Sequence, residues 1–132
     1  MNNKTNIFGI SNPNKSECRI LRYHAGHSKL LLKIGQEEHN ENPVYVIFTL
    51  VKYFEGPLLW TGGDFWIGKP DETVEILSKI KLAGIEDQKI QHVYLEEYKL
   101  FVGKISNSGM VKILASTYSV ESAVPRIDFP DL

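Results

Sequence analysis

The apolar positions from Lys29 to Ile34 read as a strand, in which Leu30, Leu32 and Ile34 fall on one side of an extended chain. Cys18 to His24 is the strand candidate before it. The intervening Ala25-Gly26-His27-Ser28 reads as a turn with Gly26 available for positive φ, so the two runs predict a hairpin. Val44 to Phe54 is the strongest strand. Val44, Val46, Phe48 and Leu50 point one way and Tyr45, Ile47, Val51 and Tyr53 the other. Apolar residues on both sides predict a central strand covered on both faces.

After the turn Glu55-Gly56-Pro57 a return strand is expected from Leu58 to Ile67, interrupted at Gly62-Gly63. Two glycines inside a strand pattern signal a bulge or a close backbone approach. One helix follows, opened by Pro70 or Asp71. Asp71 is placed to cap it, Glu72 and Glu75 lie in its first turn, Lys79 and Lys81 in its last, and Gly84 closes it. Val74, Leu77 and Ile80 form its expected inner stripe, widened by Ile76 and Ala83.

Glu86 to Tyr98 fits two periods. Ile90, Val93, Tyr94 and Tyr98 suit a helix, while alternation about His92–Leu95 suits a strand. The expectation is strand from about Gln91, continuing the β-rich run to Ile105. Asn107-Ser108-Gly109 then turns the chain into Met110–Ser119. The expected class is α+β: an antiparallel sheet of about six strands in successive hairpins with one main α-helix packed on it. Residues 17–120 form the single domain, 1–16 a flexible or loosely docked arm, and 121–132 an irregular tail holding Pro125 and Pro130. Ile7, Phe8 and Ile10 are candidates to tack the arm onto the body or a partner. One helix covers one sheet face, so the second face calls for strong curling of the sheet or a partner subunit; hence a homodimer is expected.

Composition narrows the function classes. A chain of 132 residues, 42% hydrophobic and 23% charged, suits one globular domain with a real core. The net charge of -1 shows no basic footprint for nucleic acid, and Lys79, Lys81, Lys89, Lys99, Lys104 and Lys112 are dispersed. The single cysteine, Cys18, excludes an intrachain disulfide and favours a reducing compartment. MNNKTNIFGISNPNKSE holds no apolar run fit for a signal peptide, and no stretch has the length of a membrane span. A cytoplasmic protein without membrane contact is expected.

The segment Trp60-Thr61-Gly62-Gly63-Asp64-Phe65-Trp66 is the strongest candidate ligand or partner site. Trp60 and Trp66 supply flat apolar walls, Gly62 and Gly63 allow close approach, and Asp64 supplies an acceptor. Its structural alternative is a bulged strand with core tryptophans. Gly62-Gly63 lacks the later glycine and lysine of a phosphate loop.

His24 and His27 can reach one metal ion across a turn, but a further ligand would have to come from Glu37, Glu38, His39 or Asp64, so no metal site is expected. Cys18 as a nucleophile needs a histidine; His24 lies about 20 Å along the same strand, leaving His39 or His92. Glu96 and Glu97 point to opposite faces if the segment is a strand.

No pairing of nucleophile with base and no cofactor loop stands out, so no cofactor is expected. The leading expectation is a non-catalytic binding protein acting through the aromatic-rich segment Val44–Ile67. Its partner would be itself or another protein, with an inhibitor or immunity-type role compatible. The alternative is a small-molecule enzyme drawing acid and base from Asp64, His24, His92 and Tyr94.

Overall fold

Strand β1 (Glu17–His24) and strand β2 (Lys29–Gln36) form the first predicted hairpin, with Cys18 opposite Ile34 and His24 opposite Lys29. The computed structural model describes residues 6–10, 12–36 and 41–123. A 3-10 turn over Ala25–His27 joins the two strands, and its left-handed residue is Ser28 (φ 51°) rather than Gly26.

The long central strand is present but bent. β3 (Glu41–Thr49) and β4 (Tyr53–Glu55) are separated at Leu50, whose φ of 56° turns the chain out of the first sheet. Its neighbour bends at the matching place, Ser116, between β8 (Met110–Ala115) and β9 (Thr117–Glu121). Lys52 N–H donates to Leu114 O at 2.7 Å and Ser116 N–H to Thr49 O at 3.0 Å, so the pairing continues through the bend. The return strand breaks at Gly62-Gly63 as predicted, giving β5 (Leu59–Thr61) and β6 (Asp64–Ile67).

All pairings are antiparallel, in two sheets of order β5-β1-β2-β3-β9 and β4-β8-β7-β6, where β7 is Lys99–Lys104. Three strands pass from one sheet into the other, so the sheets wrap a single core like a barrel. The α+β class with a main helix on a sheet is therefore as the sequence predicts.

One pairing differs. The segments either side of Glu55-Gly56-Pro57 do not form a hairpin with each other: β4 pairs with β8 and β5 with β1. The bend at Leu50 carries β4 away from the edge that β5 occupies.

The inner core joins Cys18, Leu30, Leu32, Ile34, Val46, Phe48, Trp60, Phe65, Phe101, Val111 and Ile113. Phe8 and Ile10 of the N-terminal segment are buried in it. The Phe8 ring lies 5.0 Å from Phe65 and 5.2 Å from Tyr118, within the range of favourable aromatic pairs.

Helix α1 (Pro70–Lys79) packs outside the four-stranded sheet, where Ile76 and Leu77 meet Leu100, Val102 and Leu114. Its start is set by Pro70 and by Glu72, whose carboxylate accepts the Lys69 N–H at 2.8 Å; Asp71 lies inside the first turn instead of capping it. The buried face is Thr73, Ile76 and Leu77, with Ile80 half-buried, so the stripe is rotated from the expected one and Val74 sits at its border.

The expected strand after Gln91 is instead a second helix, α2 (Gln88–Glu97). Asp87 caps it by accepting the Lys89 N–H at 2.8 Å, and Tyr94 is tied down by donating to Ala83 O at 2.7 Å. Gln91 donates to Ile85 O at 2.7 Å. These local bonds and the Tyr94–Tyr98 pair at four-residue spacing favour the helical period.

The second face of the central strand is also covered. Leu31, Tyr45 and Ile47 point away from the inner core, yet they are only 2%, 8% and 3% exposed and form their own cluster. The two-faced pattern therefore does not require a second subunit to explain it.

Candidate binding surface

The glycine corner between β5 and β6 is held almost wholly by the chain itself. Gly62 N–H donates to Ser16 O at 2.8 Å and Gly63 N–H to Pro13 O at 2.7 Å. Gly62 O accepts from Trp60 Nε1 at 2.8 Å and from Cys18 Sγ at 3.2 Å, and Gly63 O accepts from Asn6 Nδ2. Gly62 has a φ of 129°, and a Cβ there would lie 2.3 Å from Lys104 O. The close approach this glycine permits is thus to the backbone of β7.

Trp60 lies in the inner core, while Trp66 is half-buried against the cluster beneath α1. The two tryptophans therefore do not make one wall. Asp64 is half-buried, opposite Lys104 in the β6–β7 ladder, and with Asn14, Gly62 and Ser106 it lines an open hollow of about 300 Å³.

The other candidate groups have separate local roles. His24 is buried and its Nδ1 accepts the His27 N–H at 3.2 Å, with the two rings 4.4 Å apart, so this imidazole closes the β1–β2 turn. Among the described residues no three His, Cys, Asp or Glu side chains group to hold a metal ion; Glu37, Glu38 and His39 lie outside the described residues. Cys18 is fully buried, and burial, aided by the neighbouring Glu17 charge, pushes its thiol up to about 12. That is the opposite of what an activated nucleophile requires.

His92 is exposed on α2, 3.7 Å from Glu96. Glu96 and Glu97 end this helix rather than flank a strand. On the outer side of β4, the Tyr53 hydroxyl donates to Glu55 and accepts from Lys79 at 3.2 Å. The hydrogen bond from Tyr53, more than the Lys79 charge, holds the Glu55 carboxyl below its ordinary range; the same hydroxyl raises Lys79.

Among the described residues the most exposed large apolar side chain, Leu58, lies where the chain passes from β4 to β5. Leu58 is 67% exposed, Leu59 50%, and beside them on β1 Tyr23 is 47% and Leu21 40% exposed. Ile20 N–H donates to Leu58 O at 2.9 Å, which brings Leu58 against β1. Inside this rim is an open pocket of about 340 Å³ lined by Ile20, Tyr23, Leu30, Val51, Phe54 and Leu58, with Lys52 and Tyr53. Among the described residues, β4 pairs only with β8, and β1 beyond Ile20 pairs only with β2. Beside the pocket, β4 and this part of β1 thus each have one edge to which no further strand pairs among the described residues.

Sequence reasoning placed Leu58 and Leu59 in a return strand and missed this surface. The available signal was two leucines directly after Glu-Gly-Pro, where turn tips are normally polar.

Among the described residues no helix is long and apolar enough to cross a membrane. Comparison of the chain with protein-family models, with curated proteins and with solved structures found no match.

Proposed function

We propose that this chain is a non-catalytic binding protein that engages a protein partner through the apolar surface at the β4–β5 connection, a second copy of itself being the first candidate. The observation that carries the reading is the exposure of Leu58 at the apolar pocket it lines with Tyr23, with Leu59 on β5 and Leu21 on β1 exposed nearby in the chain. Single exposed leucines are ordinary, but exposed apolar side chains around an apolar pocket at the edge of a sheet are a common mark of an interface. The surface lies within Val44–Ile67, the segment singled out by its sequence, and its neighbour β1. The contact passes from Trp60, which is buried, to the leucines. A different protein as partner, in an inhibitor or immunity-type role, uses the same surface.

The acid/base alternative has less support. Asp64 faces Lys104, His24 serves the β1–β2 turn, His92 pairs with Glu96, and Tyr94 donates to Ala83 O. General acid–base chemistry needs such groups to converge on one reacting centre. The test is whether Leu58→Asp with Leu59→Asp removes association while leaving the fold intact.

A further inference from the structure

We infer that the His24–His27 pair is an acid-sensitive latch: a proton taken up on His24 opens the β1–β2 turn and releases the backbone at Val51, where β3 leaves the first sheet. The inference concerns a device within the fold and does not rest on the association reading.

The geometry of the turn carries it. His24 is buried, and its Nδ1 accepts the His27 N–H at 3.2 Å. Accepting at Nδ1 requires the neutral ring with its own proton on Nε2, because an imidazolium has two donors and no acceptor. A proton on Nδ1 would set one N–H against another. The ring also fits closely beneath the turn, since a Cβ on Gly26 would lie 3.3 Å from His24 Cε1. The His27 ring centre stands 4.4 Å away, so a charge on both rings would add repulsion at short range.

The segments around His24 supply cations and no carboxylate. Their titratable and charged side chains are Arg22 and Tyr23 on β1, Lys29 opposite His24 on β2, His27 in the turn, and Lys52 and Tyr53 after the Leu50 bend. Segments 18–36 and 44–54 contain no Asp or Glu. The first carboxylate beyond them, Glu55, already accepts from Tyr53 and lies 3.8 Å from Lys79. A charged His24 therefore leaves its place for water, and the turn loses its bond.

The turn is coupled to the bend. Ser28, left-handed at φ 51°, closes the 3-10 turn by donating to Ala25 O at 3.3 Å, and its own carbonyl accepts the Val51 N–H at 2.9 Å. Val51 follows Leu50, the left-handed residue that carries the chain out of the first sheet. A serine holds a positive φ only where its surroundings fix it, so opening the turn frees Ser28 and with it the Val51 amide. A local change of charge on an imidazole thus biases a backbone element with two arrangements.

The test is amide exchange of His27 and Val51 by NMR on the whole chain, from about pH 7.5 to about pH 5.5, corrected for the intrinsic pH dependence of exchange. The ring nitrogen signals of His24 are followed in the same samples. Protection of both amides is expected to fall by roughly fivefold, the effect of losing one hydrogen bond, with the same midpoint as His24 protonation. His24→Asn keeps a side-chain acceptor at the cap without a titrating group, so its protection should stay constant over this range. His27→Gln keeps the donating amide and should retain the response.

Constant protection in the natural chain overturns the inference, as does an equal fall in His24→Asn. A midpoint apart from that of the His24 ring overturns it too, and this is read on the natural protein, so the test stands even where His24→Asn does not fold. Loss of the response in His27→Gln would give the switch to His27 instead. A fall in protection that varies with protein concentration would assign it to association and likewise overturn the latch; constant protection at every concentration would leave the association reading standing.

Discussion

The Ile20 amide donates to the Leu58 carbonyl at 2.9 Å, and this bond holds the β4–β5 connection against β1. It extends the β1–β5 ladder one step past Arg19 and Leu59 and then stops. The Leu58 side chain is left in solvent at the rim of an apolar pocket. A leucine fixed by its backbone while its side chain is exposed is well suited to contact, because little backbone order is lost on binding.

Leu58→Asp should therefore separate binding from folding. An exposed position away from caps and core contributes within about 0.5 kcal/mol to stability. Thermal unfolding should move little, while association is lost. A large drop in the unfolding midpoint would show that Leu58 belongs to the core.

Gly62→Ala should be severely destabilising. It combines a φ of 129° with a Cβ placed 2.3 Å from Lys104 O. Backbone strain of roughly 1–3 kcal/mol adds to the cost of displacing β7. Gly9→Ala is the control: its φ is 73°, but nothing lies within 4 Å of the added Cβ, so only the conformational cost of roughly 1 kcal/mol applies. Denaturant midpoints for both variants test the claim that this corner serves the barrel's closure.

The face of α1 can be checked by paired truncations. Leu77 is fully buried beneath the helix and Val74 sits at the border of its buried face. Leu77→Ala should cost about 2–5 kcal/mol, and Val74→Ala clearly less. Equal costs would restore the stripe of Val74, Leu77 and Ile80 that sequence spacing favours.

Cys18 should give the fold a pH dependence in alkali. Its thiol rises from 9.0 to about 12 on folding, so between these values the native state holds a proton that the unfolded state has lost. The stabilisation is complete below about pH 9, the unfolded thiol's range, and is lost as pH rises toward 12. The slope is at most about 1.4 kcal/mol per pH unit. Cys18→Ala should remove this component of the slope. A thiol reagent at pH 8 should label the natural protein only as fast as it opens; rapid labelling of the native state would contradict the burial.

Much of the fold is legible in the chain because Leu30, Leu32 and Ile34 share one face, because the unbroken apolar run Val44–Phe48 is bounded by polar and turn residues as a two-faced strand must be, and because Asn107-Ser108-Gly109 reads as a turn. The pairing of β4 and β5 was not legible. It depends on a left-handed residue at Leu50, and no local feature of a leucine announces a positive φ. The α2 helix was missed for a different reason: Ile90, Val93 and Tyr94 satisfy both periods, and the bonds from Asp87 and Tyr94 that decide between them are specific contacts, not patterns.

At the candidate site, Gly62-Gly63 correctly marked a close approach, but the approaching group is the chain's own backbone. The leucine rim and its pocket come from residues distant in sequence, Ile20 and Tyr23 with Val51, Phe54 and Leu58, and alternation along one strand does not reveal such a surface.

If the exposed surface at the β4–β5 connection is an interface between copies of the chain, its loss must change the protein's mass in solution. The most direct test is the mass in solution by light scattering across protein concentration, for the natural chain and for the double variant Leu58→Asp, Leu59→Asp. The mass of the natural chain is expected to rise from 15.0 kDa toward twice that value, and that of the variant to stay at 15.0 kDa with its thermal midpoint unchanged. A natural chain that remains at 15.0 kDa throughout would contradict self-association through this surface.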